Sequence, residues 1–324
     1  MKKSKARLLV AAGLALIALL ASTAMNGRAP KRNNPTFAIN QTADAATFNM
    51  IVSAGAAASK ALAESDTFTP IDFPGASSTD ADAINPRGEI VGNYFIAGVG
   101  HGFLLSGGEF TSIDFPGAST TRAFGINPRG DIVGGYRSAG VNHAYLLSGG
   151  EFTSIDFPGA SFTSAFGITP RGDIVGSYIS AGVRHGYLLS GGEFTSIDFP
   201  GASRTDAFGI NPSGDIVGAY RIAGVAHGYL LSGGSFTTID PPGASFTEAN
   251  GINARGNIVG DYTLAGVSHG FLLSGGELTS IDFPGGSNTL AVGNNPRGDI
   301  VGQYDDSAGV THGFLLSGRE EDAR

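Results

Sequence analysis

Residues Ile155 to Ser196 read IDFPGASFTSAFGITPRGDIVGSYISAGVRHGYLLSGGEFTS. The stretch recurs: Ile71, Ile113, Ile155, Ile197, Ile239 and Ile281 follow one another at intervals of 42 residues. Only the last unit departs in length, by one extra residue in YDDSAGVTH. Internal repetition at a fixed period overrides any domain count based on the 324 residues of the chain.

Four short segments of each unit carry its β-branched and aromatic residues, and turn residues bound each of them. They are A (AFGIN), B (DIVGSY), C (HGYLLS) and D (EFTSIDF). PRG joins A to B and GG joins C to D, which reads as two tight hairpins. D returns to the next A through the longer PGASFTS. Repeated four-stranded units of about 40 to 50 residues predict an all-β fold, a six-bladed β-propeller of antiparallel blades. A β-solenoid would use shorter coils without hairpin turns, and no segment has the 3.6-residue apolar period of a helical repeat.

The first D segment precedes the first A, whereas the last unit ends after C. Pairing of Thr67–Phe73 with the last C strand would close the ring and leave no sheet incomplete. Proline occurs in D segments at Pro70 and Pro241, which predicts D as the outer edge strand, because proline cannot donate to a ladder. Segment A, with its small Ala and Gly, is then expected at the axis.

The combination of this period with HGFLL, HAYLL or HGYLL opening C, and stretches such as GINPRGDIVGGY spanning A and B, resembles the HAF family of extracellular repeat proteins. The resemblance covers Phe68 to Gly318, although Gly usually stands where the family name has Ala, as in His101-Gly102-Phe103. It implies export and repetition, and no particular activity.

Export is also expected from the N-terminus. Lys2, Lys3, Lys5 and Arg7 precede an apolar run of 14 residues, Leu8 to Ala21, and Ser22 and Ala24 offer a cleavage site. The run falls short of the roughly 20 residues that span a bilayer, so the reading is a signal peptide at 1–24 and a mature chain without a membrane span. Residues 25–66, Ala-rich from Ala43 to Ala63, are expected to form a linker or short helix ahead of the propeller at 67–324. From Thr67 onward there are 12 Arg, no Lys and 25 acidic residues, a net charge of −13 that disfavours nucleic acid. Without cysteine there are no disulfides or thiolate metal sites. A monomer without cofactor is expected.

All six histidines, His101, His143, His185, His227, His269 and His312, occupy one place in the unit. Strand C lies two spacings of about 4.8 Å outside the innermost strand, so the rings are too far apart to share an ion, and they read as structural hydrogen-bonding groups. The Asp before FPG or PPG in each unit, Asp72 for example, reads as a turn acceptor. RGD at 129–131, 171–173 and 297–299 reads as turn grammar, since the same slot also holds RGE, SGD and RGN.

The copies disagree mainly around the Thr after GAS and in the B-to-C connection. In an up-and-down meander both places emerge on one face of the disc, where a rigid scaffold presents binding residues. The candidate binding residues are Arg122, Arg137, Phe162, Ile179, Arg184, Arg204, Arg221, Phe246, Asp261 and Asp305. Arginines interleaved with Phe suit a polysaccharide, acidic in character, or a protein surface. The leading expectation is thus an exported interaction module. The alternatives are a propeller hydrolase or lyase, for which Asp305 and Asp306, with Asp261 behind them, are the singular carboxylates, and an inert envelope or surface protein.

Overall fold

The computed structural model describes Asp66 to Ser317. The expected signal peptide, the expected linker apart from Asp66, and the tail after Ser317 lie outside the described residues.

The described chain is all strand and turn. In the third unit A is Phe162–Ile168, B Ile174–Ser180, C Val183–Ser190 and D Glu193–Ile197, paired antiparallel in that order. The other units repeat this sheet, and a single parallel bridge, Phe162 to Asn142, joins the second sheet to the third. The last sheet has Ser287–Asn294, Ile300–Asp305 and Thr311–Ser317 as A, B and C, and its fourth strand is Thr67–Ile71. That strand runs antiparallel to C, with Thr67 opposite Ser317 and Ile71 opposite Gly313.

Sequence dictates this geometry through its glycines and aromatics. Gly107 and Gly108 take φ of 60° and 85°, the pair of left-handed residues that a type I′ hairpin needs. A side chain on Gly176, the glycine of IVG, would overlap the Ser164 carbonyl and the Tyr187 ring, so only glycine lets strand A and the C-strand aromatic close on B. D strands end at the Ile, and the Asp-Phe-Pro-Gly that follows is turn, which shortens the expected D segment by two residues. Pro70 lies on the edge strand Thr67–Ile71, as the edge argument requires. Pro241, however, lies beyond its strand, Ser235–Ile239, and so says nothing about the edge.

The core lies between sheets. Val133 and Ala144 of the second unit pack with Ile168, Ile174, Tyr178 and Tyr187 of the third, and Val301 of the sixth packs with Ile84, Ile90 and Tyr94 of the first. Each sheet therefore buries its apolar face only by having a neighbour. Polar bridges follow the same path: Asn85 Nδ2 donates to the Asn127 carbonyl at 3.3 Å, and Asn127 Nδ2 donates to the Thr169 carbonyl at 3.2 Å. Asn295 Nδ2 donates to the Asn85 carbonyl at 3.3 Å, so the sixth unit bonds to the first.

Candidate functional site

The six histidines are absorbed by the scaffold. His185 Nδ1 lies 2.7 Å from Asp198 Oδ1, its ring stacks on Tyr178 at 5.1 Å, and Tyr178 stacks in turn on Phe157 at 3.6 Å. The other five pair with Asp114, Asp156, Asp240, Asp282 and Asp72. The RGD aspartate Asp131 is likewise engaged, accepting hydrogen bonds from Asn127, Arg129 and Ser148, and is only 8% exposed. Its carboxyl is held below the usual range by these donors acting against burial. A group so enclosed is a turn lock and not a ligand for a partner.

What remains lies where strand A begins and B meets C. The backbone register places Phe162 opposite Ile179 and Ile179 opposite Arg184. The same register sets Thr120 against Arg137, Arg204 against Arg221, and Phe246 against Thr263. The candidate residues therefore share one end of the sheets, as the meander predicts. They do not stand on loops. In five units the B-to-C connection is only Ala-Gly, with both residues left-handed, Ala181 at φ 49° and Gly182 at 81° in the third. The type I′ turn matches the right-handed twist of its strands, and so it leaves the varying residues on strand ends.

Three of the candidates converge. Arg122, Arg137 and Phe162 line a groove of about 640 Å³ together with Phe95, Ser164 and Asn142, and its wall is Phe124 and Phe166. Arg122 and Arg137 are exposed, and neither forms an ion pair among the described residues. The Arg122 guanidinium sits 5.4 Å from the Phe95 ring centroid. The groove thus offers two guanidinium groups and aromatic faces to one ligand.

The other arginines are partly spent. Arg184 and Arg204 line a separate pocket of about 260 Å³, and both reach the buried carboxylate of Asp206, which also accepts from Ser177 Oγ at 2.7 Å. Arg184 also lies 4.5 Å from the ring of Phe162, which lines the groove and not this second pocket. Arg221, Ile179 and Phe246 are half-buried and line neither the groove nor this second pocket.

The carboxylates Asp261 and Asp305 line neither the groove nor the second pocket. Asp261 is only 4% exposed, sits on strand B opposite Glu248, and accepts from Asn250 Nδ2 at 2.8 Å. Burial pushes Asp261 up to about 6, and burial with the nearby Asp261 and Asp206 charges pushes Glu248 up to about 7. Burial also raises Asp80 to about 6, with Arg122 opposing and Asp305 reinforcing. Asp305 accepts from Asn288 Nδ2 at 3.0 Å and Thr311 Oγ1 at 2.9 Å. Asp306 caps the insertion turn through the Ala308 and Val310 amides, which hold its carboxyl low, so it is a scaffold residue.

Sequence reasoning passed over one position. The third residue from the end of strand A reads Asp82, Phe124, Phe166, Phe208, Asn250 and Val292 in successive units, and all six residues line a single cavity of about 250 Å³. The signal was there, since this place varies between constant neighbours.

No family model matches the chain, and no curated protein matches it. Among solved structures, it is similar to a candidate gluconolactonase at 15% identity and a TM-score of 0.50, over 79% of this chain and 93% of that one. The chain has a β-propeller repeat fold. At such identity the likeness carries the fold alone. TolB from Acinetobacter baumannii aligns at 15% identity and a TM-score of 0.48, over 75% of this chain and 64% of that one. Virginiamycin B lyase from Staphylococcus aureus aligns at 11% identity and a TM-score of 0.47, over 76% and 88%.

Proposed function

We propose that the six four-stranded units are the blades of one closed propeller, exported by the N-terminal leader, and that it binds an acidic polysaccharide in the groove of Arg122, Arg137, Phe95 and Phe162. The closed ring is supported by the Thr67–Ile71 strand completing the last sheet, by the Asn295-to-Asn85 bridge, and by the cavity that strands of all six units line. Export and the HAF resemblance rest on the leader and on the repeat pattern.

One observation carries the ligand class: Arg122 and Arg137 stand exposed beside two Phe rings in a chain whose repeat region is otherwise acidic. Guanidinium groups pair with sugar carboxylates or sulfates through charge-assisted bonds, and aromatic rings pack against the apolar faces of pyranose rings. A neutral glycan would leave both charges unanswered. A protein partner would use the same chemistry over a wider, flatter contact.

Binding of the mature protein to polygalacturonate, a sulfated glycan and neutral dextran tests this reading, beside Arg122→Ala/Arg137→Ala and Phe162→Ala variants. The expected result is saturable binding to the acidic glycans that weakens with salt and falls at least tenfold in the double variant. Equal binding to dextran, or no loss in either variant, would refute it.

A further inference from the structure

The cavity lined by the A strands has two unlike sides. Phe124, Phe166 and Phe208 follow one another with ring centroids 5.2 and 5.4 Å apart, and they form an aromatic arc. The equivalent position is a carboxylate, Asp82, in the first unit and an amide, Asn250, in the fifth. No Arg or Lys lines the cavity.

Asp82 is built into place. Its Oδ2 accepts from Asn93 Nδ2 at 2.6 Å, and Asn93 is buried and fixed in turn by accepting the Ala123 amide at 3.0 Å. This bond orients the carboxyl, and its donor is a neutral amide that brings no positive charge beside it. Burial first, and then the charge of Asp80 on the same strand, raise the Asp82 carboxyl well above its ordinary value, with Arg122 of the next unit opposing. A carboxyl in this state gains from a cation brought into the cavity.

We propose that this cavity is a second binding site, specific for a small organic cation with an apolar body, of the alkylammonium class. Asp82 answers the charge, and the arc of Phe124, Phe166 and Phe208 faces the alkyl groups, a pairing of carboxylate and ring faces that suits an ammonium shielded by methyls. A hydrated inorganic ion gains nothing from the rings, and a neutral molecule of the same shape gains nothing from Asp82. Phe124 and Phe166 also line the groove, so the two sites share a wall while differing in the charge they select.

The test titrates choline, and separately its neutral isostere 3,3-dimethylbutan-1-ol, into the folded protein by calorimetry, using wild type, Asp82→Asn and Phe166→Leu, each first checked for an intact melting transition. Wild type should bind choline saturably and at least about tenfold more tightly than the alcohol. Asp82→Asn should erase that preference, and Phe166→Leu should weaken choline about three- to tenfold while keeping the preference. Equal affinity for choline and the alcohol, an Asp82→Asn variant that keeps the preference, or no saturation by wild type up to about 10 mM would each overturn the proposal. If Asp82→Asn does not fold, the choline-to-alcohol ratio in wild type and the response of Phe166→Leu decide it.

Discussion

His312 Nδ1 lies 2.7 Å from Asp72 Oδ1, across 240 residues of sequence, in the pairing that the other five histidines make with an Asp 13 residues away. The strand before Asp72 thus does for the last sheet what each D strand does for its own. Phe68 packs edge-on against Phe283 and Phe314 at 5.1 and 5.4 Å, and Phe73 stacks on Tyr94 at 3.6 Å. Deleting Thr67 to Phe73 removes a ladder and these three ring contacts, several kcal/mol at about 2–4 °C of melting temperature each, so the transition should fall by about 10 °C or more. A melt within about 2 °C of wild type would contradict this role. Asp72→Asn should cost far less, because the carboxylate is half exposed. The hydrogen bond that His312 Nδ1 donates to the Asp72 carboxylate is the first cause holding His312 above its usual value of 6.5. The contribution of the pair is therefore complete below that pH and is lost as pH rises through the folded value, and Asp72→Asn should flatten that part of the curve.

Pro241 and Thr247 mark the weakest D-to-A connection. In five units the Phe amide after Asp donates to the Thr hydroxyl of strand A, as Phe157 does to Thr163 at 3.2 Å. Pro241 has no amide hydrogen, and Thr247 Oγ1 is buried without a partner. Pro241→Phe would restore the donor and supply the ring that stacks on the B-strand Tyr elsewhere, for a gain of about 1–2 kcal/mol after the lost rigidity of proline. Differential scanning calorimetry should show a rise of about 2–6 °C. A lower or unchanged transition would mean that the orphaned hydroxyl costs nothing.

Strand order and hairpins were legible in the sequence because they depend on local chemistry repeated six times: GG turns, IVG glycines and a fixed period leave few alternatives. The B-to-C turn was not, because Ala is a rare choice for the left-handed region and Ala-Gly does not advertise a type I′ hairpin as Asn-Gly does. Asp261 stood among the varying residues of its unit, and nothing in its own strand pattern reveals that it is only 4% exposed and bonded to Asn250. Arg122, Arg137 and Phe162 line one groove, whereas Arg184 and Arg204 lie apart from it, engaged by an Asp206 buried on strand A that the sequence pattern does not reveal. The cavity-lining position of strand A is not evident in the sequence because Phe there reads as ordinary core.

The five Ala-Gly turns store strain that can be relieved. Ala97, Ala139, Ala181, Ala223 and Ala265 all have φ between 48° and 52°. A left-handed alanine costs about 1–2 kcal/mol, and Asn tolerates the conformation better. Ala181→Asn should raise the melting temperature by about 2–4 °C, and changes at the remaining turns should add to it, because each turn belongs to a different repeat. A variant that melts lower would show that the turn is held by contacts other than its own backbone.

Glu248 and Asp261 are paired across strands A and B, two carboxyls facing each other in a half-enclosed site. Glu248 has a folded value of about 7 against an ordinary 4.5. The unfolded chain releases its proton near 4.5 while the native protein keeps it to about 7, so the native state binds more protons across that window and stability falls as pH rises through it. At about 1.4 kcal/mol per unit, the loss attributable to this one group approaches about 3 kcal/mol above pH 7. Glu248→Gln cannot ionise and should escape the loss. Urea unfolding at pH 5 and pH 8 should therefore show the variant gaining on wild type as pH rises. Parallel pH profiles for the two proteins would mean that Glu248 is already charged in the folded protein at pH 5, and would contradict its raised value.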